Sequence, residues 1–415
     1  MGDNIQIMIT MIVYMLVVIG IGLAFARRAN KSSEDYFLGG RTLGPWVTAM
    51  SAEASDMSGW LLMGLPGVAY WCGIADSAWT AIGLAVGTYV NWLITSKRLR
   101  RYSEKAGNAI TLPEFFSNRF HEEKKVVMTI SALFILIFFT VYAASCLVTC
   151  GKLFSTLFGF DYVPMMIVGA VFVLIYTIIG GFLAESASDF MQAVVMIIAL
   201  LVVVITGTTA AGGLGAVVDN AKSIPGFLEF FGIAAPVTVD GVQQAVNGVP
   251  QFGDAGTYSI ISVLSAVAWG LGYFGMPQVL LRFMAIRSEG ELNRSRRIAI
   301  VWVLISLTVA VFIGIVGRAL YPLALTTESA SENVFIVLAT GLLPPVLAGL
   351  VMAGILAATI SSSDSYLLIA ASAFAKNIYQ GLLHKKATDK HVLLISRAAL
   401  LIITAIAIII AMDEN

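Results

Sequence analysis

The sequence predicts an all-α polytopic membrane protein, and three observations predict it. Of 415 residues, 58% are hydrophobic and only 12% charged, about half the ~25% charge of soluble domains. Ten apolar stretches are long enough to cross a bilayer core, which takes about 20 residues as helix. The basic residues fall almost wholly in alternate connections between those stretches.

The first stretch, 5–26, runs into Arg27-Arg28 with no small-residue cleavage site. It reads as a retained span rather than a signal peptide. The others are expected at 46–71, 76–96, 126–156, 162–181, 189–211, 257–286, 298–320, 343–376 and 392–411. With the N-terminus outside, the inner connections are 27–45, 97–125, 182–188, 287–297 and 377–391. All but Lys152, Lys222 and Arg318 of the 25 lysines and arginines then lie in them or at adjacent span ends, as the positive-inside rule requires. The Gly-rich outer connection 212–256 carries Asp219, Glu229, Asp240 and Asp254 and reads as a solvated loop with a short helix. Zero net charge argues against a nucleic-acid partner. Cys72, Cys146 and Cys150 suggest packing rather than a disulfide framework, and His121, His384 and His391 sit in polar connections, where they form no intramembrane metal centre.

The second span contains Ser51, Glu53, Ser55, Asp56, Ser58 and Gly59 in succession. Carboxylates inside a span cost about 2.5–3.5 kcal/mol each at its centre. Glycine and hydroxyl residues loosen the helix and free carbonyls, and carbonyls, hydroxyls and a carboxylate together suit a small hard cation. The alternative is an acid that snorkels or pairs with a buried arginine, and it weighs more for Glu53 than for mid-span Asp56. The seventh span reads Trp269-Gly-Leu-Gly-Tyr273-Phe-Gly-Met-Pro277-Gln278. Three glycines and a proline in nine residues break a helix. Trp269, Tyr273 and Pro277 recur every four residues, which predicts one aromatic-lined face suited to a small, partly apolar zwitterion. The two interrupted spans lie five apart, as in inverted-repeat transporters whose site is at the breaks.

The ninth span offers Ala358, Ser361 and Ser362, with Asp364 and Ser365 one turn further in. Serines in membrane helices often bond only to their own backbone, so their interest lies in completing a shell with the broken second span. The fourth span offers Thr140 and Tyr142, polar groups in an apolar helix that could reach the cavity, although Tyr142 taken alone reads as core rather than ligand. Asp189 opens the sixth, where a helix cap explains it.

The runs Ser51 to Gly67 (SAEASDMSGWLLMGLPG), Trp269 to Pro277 (WGLGYFGMP) and Gly180 to Gln192 (GGFLAESASDFMQ) resemble the sodium:solute symporter family, its bacterial proline carriers above all. The resemblance implies a LeuT-like fold: a leading helix and inner loop at 1–45, a first five-helix repeat at 46–211, an outside loop at 212–256, and a second repeat at 257–415. It implies a sodium site on the carbonyls of Ala54, Met57 and Ala358 and the hydroxyls of Ser361 and Ser362, with Asp56 the aspartate that sodium-dependent uptake requires. Ser51 and Ser58 are further candidates around that site. Proline recognition maps onto Trp60, Tyr142, Trp269, Tyr273 and Pro277, with Gln278 adjoining. Asp189, Asp364 and Ser365 overlap an inner sodium site of some relatives.

Two departures stand out. Glu53 occupies a place where a small or amide residue is usual. The second repeat has four spans against five in the first, so the sequence reads as lacking its final helices. The expected function is sodium-coupled import of L-proline through a bacterial inner membrane, with sodium as coupling ion, no organic cofactor and no enzymatic chemistry. Another small solute, or a sensor or channel on the same scaffold, is the alternative.

Overall fold

The computed structural model describes residues 2–413. Met1, Glu414 and Asn415, which belong to the expected terminal segments, lie outside the described residues. The first helix is α1 (Asp3–Ala29). It is followed by α2 (Pro45–Met57) and α3 (Gly64–Cys72), two halves of one broken element, and by α4 (Ile74–Ile94) and α5 (Val126–Phe158). Next come α6 (Tyr162–Ala210), the second broken pair α7 (Ile260–Ala268) and α8 (Pro277–Ala285), and α9 (Leu292–Leu320). Last are α10 (Pro345–Ser372), which runs on in π winding to Leu383, and α11 (Asp389–Ile410). Prolines 45, 277 and 345 stand in the first turns of α2, α8 and α10, where a missing N–H costs nothing.

Among the described residues, seven helical stretches are long and apolar enough to cross a membrane. The ten expected spans relate to them simply. The stretch α2–α3 is split, α4 is diluted by Asp76, Ser77, Thr80, Thr88 and Asn91, and α6 contains two expected spans. At 49 residues, α6 would be about 74 Å long if straight, roughly two and a half times a bilayer core of about 30 Å. It bends at Gly181 (φ 53°, ψ −161°), a conformation that side chains rarely adopt, and a Cβ there would meet the Tyr36 ring. Residues 182–188, expected to be an inner connection, are therefore helical and mostly buried.

The core is built around α10, in which every residue from Val351 to Ser372 is buried. Its buried stretch, Ser361–Ser365 included, lies at the centre, and α1, α2, α5, α6 and α11 pack around it. The outer connection holds a helix (Leu214–Lys222) and, against expectation, three short antiparallel ribbons. Two of them turn through Asp240-Gly241 and Asn247-Gly248, all four residues at positive φ, the backbone that two-residue hairpins favour. This loop is docked rather than free. Arg318, 1% exposed, donates to the Gln243 side chain at 3.0 Å and to the Tyr70 carbonyl at 2.9 Å. Its guanidinium also lies over the Tyr70 ring.

Candidate functional site

The break in the first pair comes at Ser58 (φ 51°, ψ −171°). Positive φ costs a non-glycine residue roughly 1–2 kcal/mol, and the Ser58 hydroxyl offsets part of that by accepting from the Trp60 N–H at 3.3 Å. A 3₁₀ turn at 59–61 then leads into α3. The second break is the 3₁₀ segment Trp269–Phe274, after which the chain restarts at Pro277. It lies directly on α4: a Cβ on Gly83, Gly87 or Gly270 would collide with the opposing backbone. Asn91 donates to the Tyr273 carbonyl at 2.9 Å and so satisfies a group the missing helix leaves open.

The two breaks face one cavity of about 480 Å3, lined by Asp56, Ser58, Trp60, Tyr142, Trp269 and Tyr273 among others. Trp60 and Trp269 pack at one side with centroids 4.8 Å apart and their ring planes tilted by 59°. On another side, Tyr142 meets Tyr366 edge-on at 5.0 Å. The volume and the mixture of one carboxylate, hydroxyls and aromatic faces match a small zwitterion. Pro277 does not share this wall. The four-residue recurrence that grouped it with Trp269 and Tyr273 holds only in unbroken α-helix, and here 3₁₀ winding and a new helix start intervene. Thr140 turns away too: its hydroxyl donates to the Leu136 carbonyl at 2.6 Å.

Beside the cavity, α2 meets α10. The Ser361 hydroxyl donates to the Ala54 carbonyl at 2.8 Å and approaches the Ala358 carbonyl at 3.2 Å. The neighbouring Ser362 hydroxyl is buried without a hydrogen bond of normal geometry, and Tyr366 stands next to it. Three oxygens from two helices, and a fourth with open capacity, are thus gathered at the end of α2, where Met57 precedes the break. Such hard neutral oxygens can replace the hydration of a sodium ion.

Asp56 accepts from the Gln278 amide at 3.0 Å. Glu53, 3% exposed, accepts from the Trp92 indole at 3.1 Å and has no arginine partner among the described residues. Gln278 is buried behind the wall, and its carbonyl accepts from Arg282 at 3.1 Å. It therefore links the cavity carboxylate to a second polar centre.

That centre gathers Arg282, Glu185, Asp189, Ser51 and Ser365, all at most 2% exposed. Arg282 forms an ion pair with Glu185 and another with Asp189 at 3.0 Å. It also donates to Ser51 at 2.9 Å and to Ser365 at 2.9 Å. Ser51 donates to Asp189 at 2.7 Å and Ser365 to Glu185 at 2.5 Å. Asp364 binds the Ser365 N–H through one oxygen, while its other oxygen, with one each from Glu185 and Asp189, is buried without a partner.

This arrangement corrects the cap reading of Asp189, which lies eight residues past the Gly181 bend, well inside the second limb of α6. It also adds Arg282, which the sequence reading counted among inner-end basic residues, and Glu185, which it gave no role. A signal was present: a basic residue in an apolar run calls for an acid partner at depth.

A profile of the sodium:solute symporter family matches residues 36–415. The chain belongs to the sodium:solute symporter family. This family member is 37% identical over 413 residues to the osmoregulated proline transporter of Bacillus subtilis, covering 99% of the chain and 79% of that protein. It is 38% identical over 419 residues to the sodium/proline symporter of Escherichia coli, with 100% and 78% covered. Among solved structures, a substrate-bound, outward-open Na+-coupled sialic acid symporter aligns with a TM-score of 0.81 at 18% identity, covering 99% of this chain and 82% of that one. The symporter-family chain and that protein share a fold, and this chain is a multi-pass membrane protein.

Proposed function

We propose that this protein is a sodium-coupled symporter that imports L-proline across a bacterial cytoplasmic membrane, with its N-terminus outside. The observation that carries the reading is the juxtaposition of an aromatic cavity with a cluster of neutral oxygens at the same helix break. In this reading the helical limbs make ten spans: the leading α1, a first repeat of five from α2–α3 to the second limb of α6, and four of a second, LeuT-like repeat from α7–α8 onward. The named function of the curated relatives at 37–39% identity supports proline as cargo.

Sodium is bound by the carbonyls of Ala54, Met57 and Ala358 and the hydroxyls of Ser361 and Ser362. Asp56, two residues beyond Ala54, supplies negative charge, and Ser58 shapes the turn. The ion fastens α2 to α10, which sets Trp60 and Trp269 for the substrate. The proline ring rests on Trp269, Trp60 and Tyr273, with Tyr142 opposite. Each ligand stabilises the arrangement the other needs, so the coupling is reciprocal. Gln278 acts through Asp56 and Pro277 through the start of α8, neither touching the substrate. Ser51, Asp189, Asp364 and Ser365, with Glu185, serve as a second cation station further along the route. Three carboxylates against the single Arg282 leave room for added positive charge.

The energetics suffice. A 100 mV potential is worth about 2.3 kcal/mol per charge, and a tenfold sodium gradient adds about 1.4 kcal/mol. One ion per cycle supports roughly 500-fold accumulation. No covalent step is needed.

The test is radiolabelled L-proline uptake into proteoliposomes with an imposed sodium gradient. Uptake that collapses without sodium supports the reading. Sodium-driven uptake of a different solute, with proline inert, would replace the substrate. No sodium-dependent flux of any small solute would leave a sensor or channel.

A further inference from the structure

We propose that a phospholipid with an anionic headgroup occupies a groove on the lipid-facing wall, outside the cavity described above. The groove has a volume of about 430 Å3 and lies between α2, the second limb of α6 and α9. Its walls are apolar, among them Trp46, Val194, Ile198, Val301 and Ile305, and its single charged lining residue is Arg297. From Arg297 to Ile305 the groove follows α9 for about 12 Å at 1.5 Å per residue, along the direction in which acyl chains lie.

The groove is preformed. The Ser295 hydroxyl donates to the Pro45 carbonyl at 3.0 Å and holds α9 to the start of α2. The Trp302 indole donates to the Ala193 carbonyl at 3.1 Å and holds it to α6.

The headgroup end supplies the specificity. Arg297 is exposed and, among the described residues, makes no hydrogen bond or ion pair. Arg294 is likewise exposed and unpaired, and it stands three residues earlier on the same side of α9. Trp46, 49% exposed, places a free indole N–H at the same rim, the depth that tryptophan favours in membranes. Two guanidiniums without a protein counter-ion select phosphate that carries net negative charge. A zwitterionic lipid brings its own cation and satisfies them poorly. A second protein helix is disfavoured, because tails are as apolar as leucine and give helices no hydrophobic reason to associate. Since α2 also carries Asp56, the lipid would brace the helix that holds the candidate cation site.

The test is native mass spectrometry of the full chain released from micelles holding equal amounts of phosphatidylglycerol and phosphatidylcholine. Retention of one phosphatidylglycerol in preference to phosphatidylcholine by about tenfold is expected. The double variant R294Q/R297Q should retain both lipids equally, while R294K/R297K keeps the preference, which separates charge from folding. V301W, which fills the groove, should release the bound lipid whatever its headgroup. Equal retention of the two lipids by the parent, or a preference that survives either R294Q/R297Q or V301W, overturns the proposal.

Discussion

The Ser361 hydroxyl donates to the Ala54 carbonyl at 2.8 Å and joins two residues 307 positions apart. A carbonyl reaches a serine this way only because α2 stops at Met57 beside the buried stretch of α10. Hydrogen bonds involving charged groups are worth about 1.5–3 kcal/mol, and direct ligation of sodium by a hydroxyl is of that order. Ser361→Ala should therefore raise the sodium concentration for half-maximal uptake by about tenfold or more, with expression retained. A sodium titration of proline uptake checks it.

Asp56→Asn preserves the shape and an acceptor for the Gln278 amide and removes only charge. Uptake should lose most of its sodium dependence while the protein folds and inserts. Unchanged sodium activation in proteoliposomes would remove Asp56 from the cation's surroundings.

Trp269→Ala opens the aromatic wall and breaks the contact with Trp60. Substrate affinity should fall by roughly tenfold, an aromatic face being worth about 0.5–1.5 kcal/mol beyond its buried area. Sodium affinity measured without proline should change far less. Equal losses in both would mean damage to the fold.

Arg282 is ion-paired to Glu185 and Asp189 in a site that also holds Asp364. Breaking a buried pair from one side costs about 3–5 kcal/mol, so Arg282→Met should depress thermal stability in detergent severely. Adding Glu185→Gln removes one of the stranded charges and should restore part of it, a non-additivity expected of contacting groups. Additive losses would contradict the ion-pair geometry.

Gly87 lets α4 lie against the unwound segment at Gly270, where a Cβ would meet backbone that cannot rotate away. Gly87→Ala is mild in an ordinary helix, yet here it should displace Trp269 and Tyr273 and abolish uptake. Gly20, with open space around it, serves as the control: Gly20→Ala should transport normally.

The unwound segments were legible because their cause is local. Serine and glycine at 58–59, and glycines with a proline across 270–277, weaken a helix wherever they occur. Of the candidate cavity residues, Trp269 and Tyr273 could likewise be named from residue type and spacing, whereas Trp60 and Tyr142 were singled out by the family resemblance. The two hairpins were also written locally, in Asp240-Gly241 and Asn247-Gly248, but a Gly-rich polar stretch reads first as coil. Their docking was not legible, because it depends on Gln243 reaching Arg318, 75 positions away.

Sequence by itself determined which stretches prefer lipid, where helices cannot continue, and which side chains bring charge or an aromatic face into the membrane. Those are sums over neighbouring residues, and hydrophobic transfer and backbone propensity act at that range. Tertiary structure alone decided that Pro277 leaves the cavity wall, that Asp189 is an ion-pair partner rather than a cap, and that Arg282 is buried among acids. It also decided which carbonyls meet Ser361, since every residue carries the same carbonyl and only its position in space makes it a ligand.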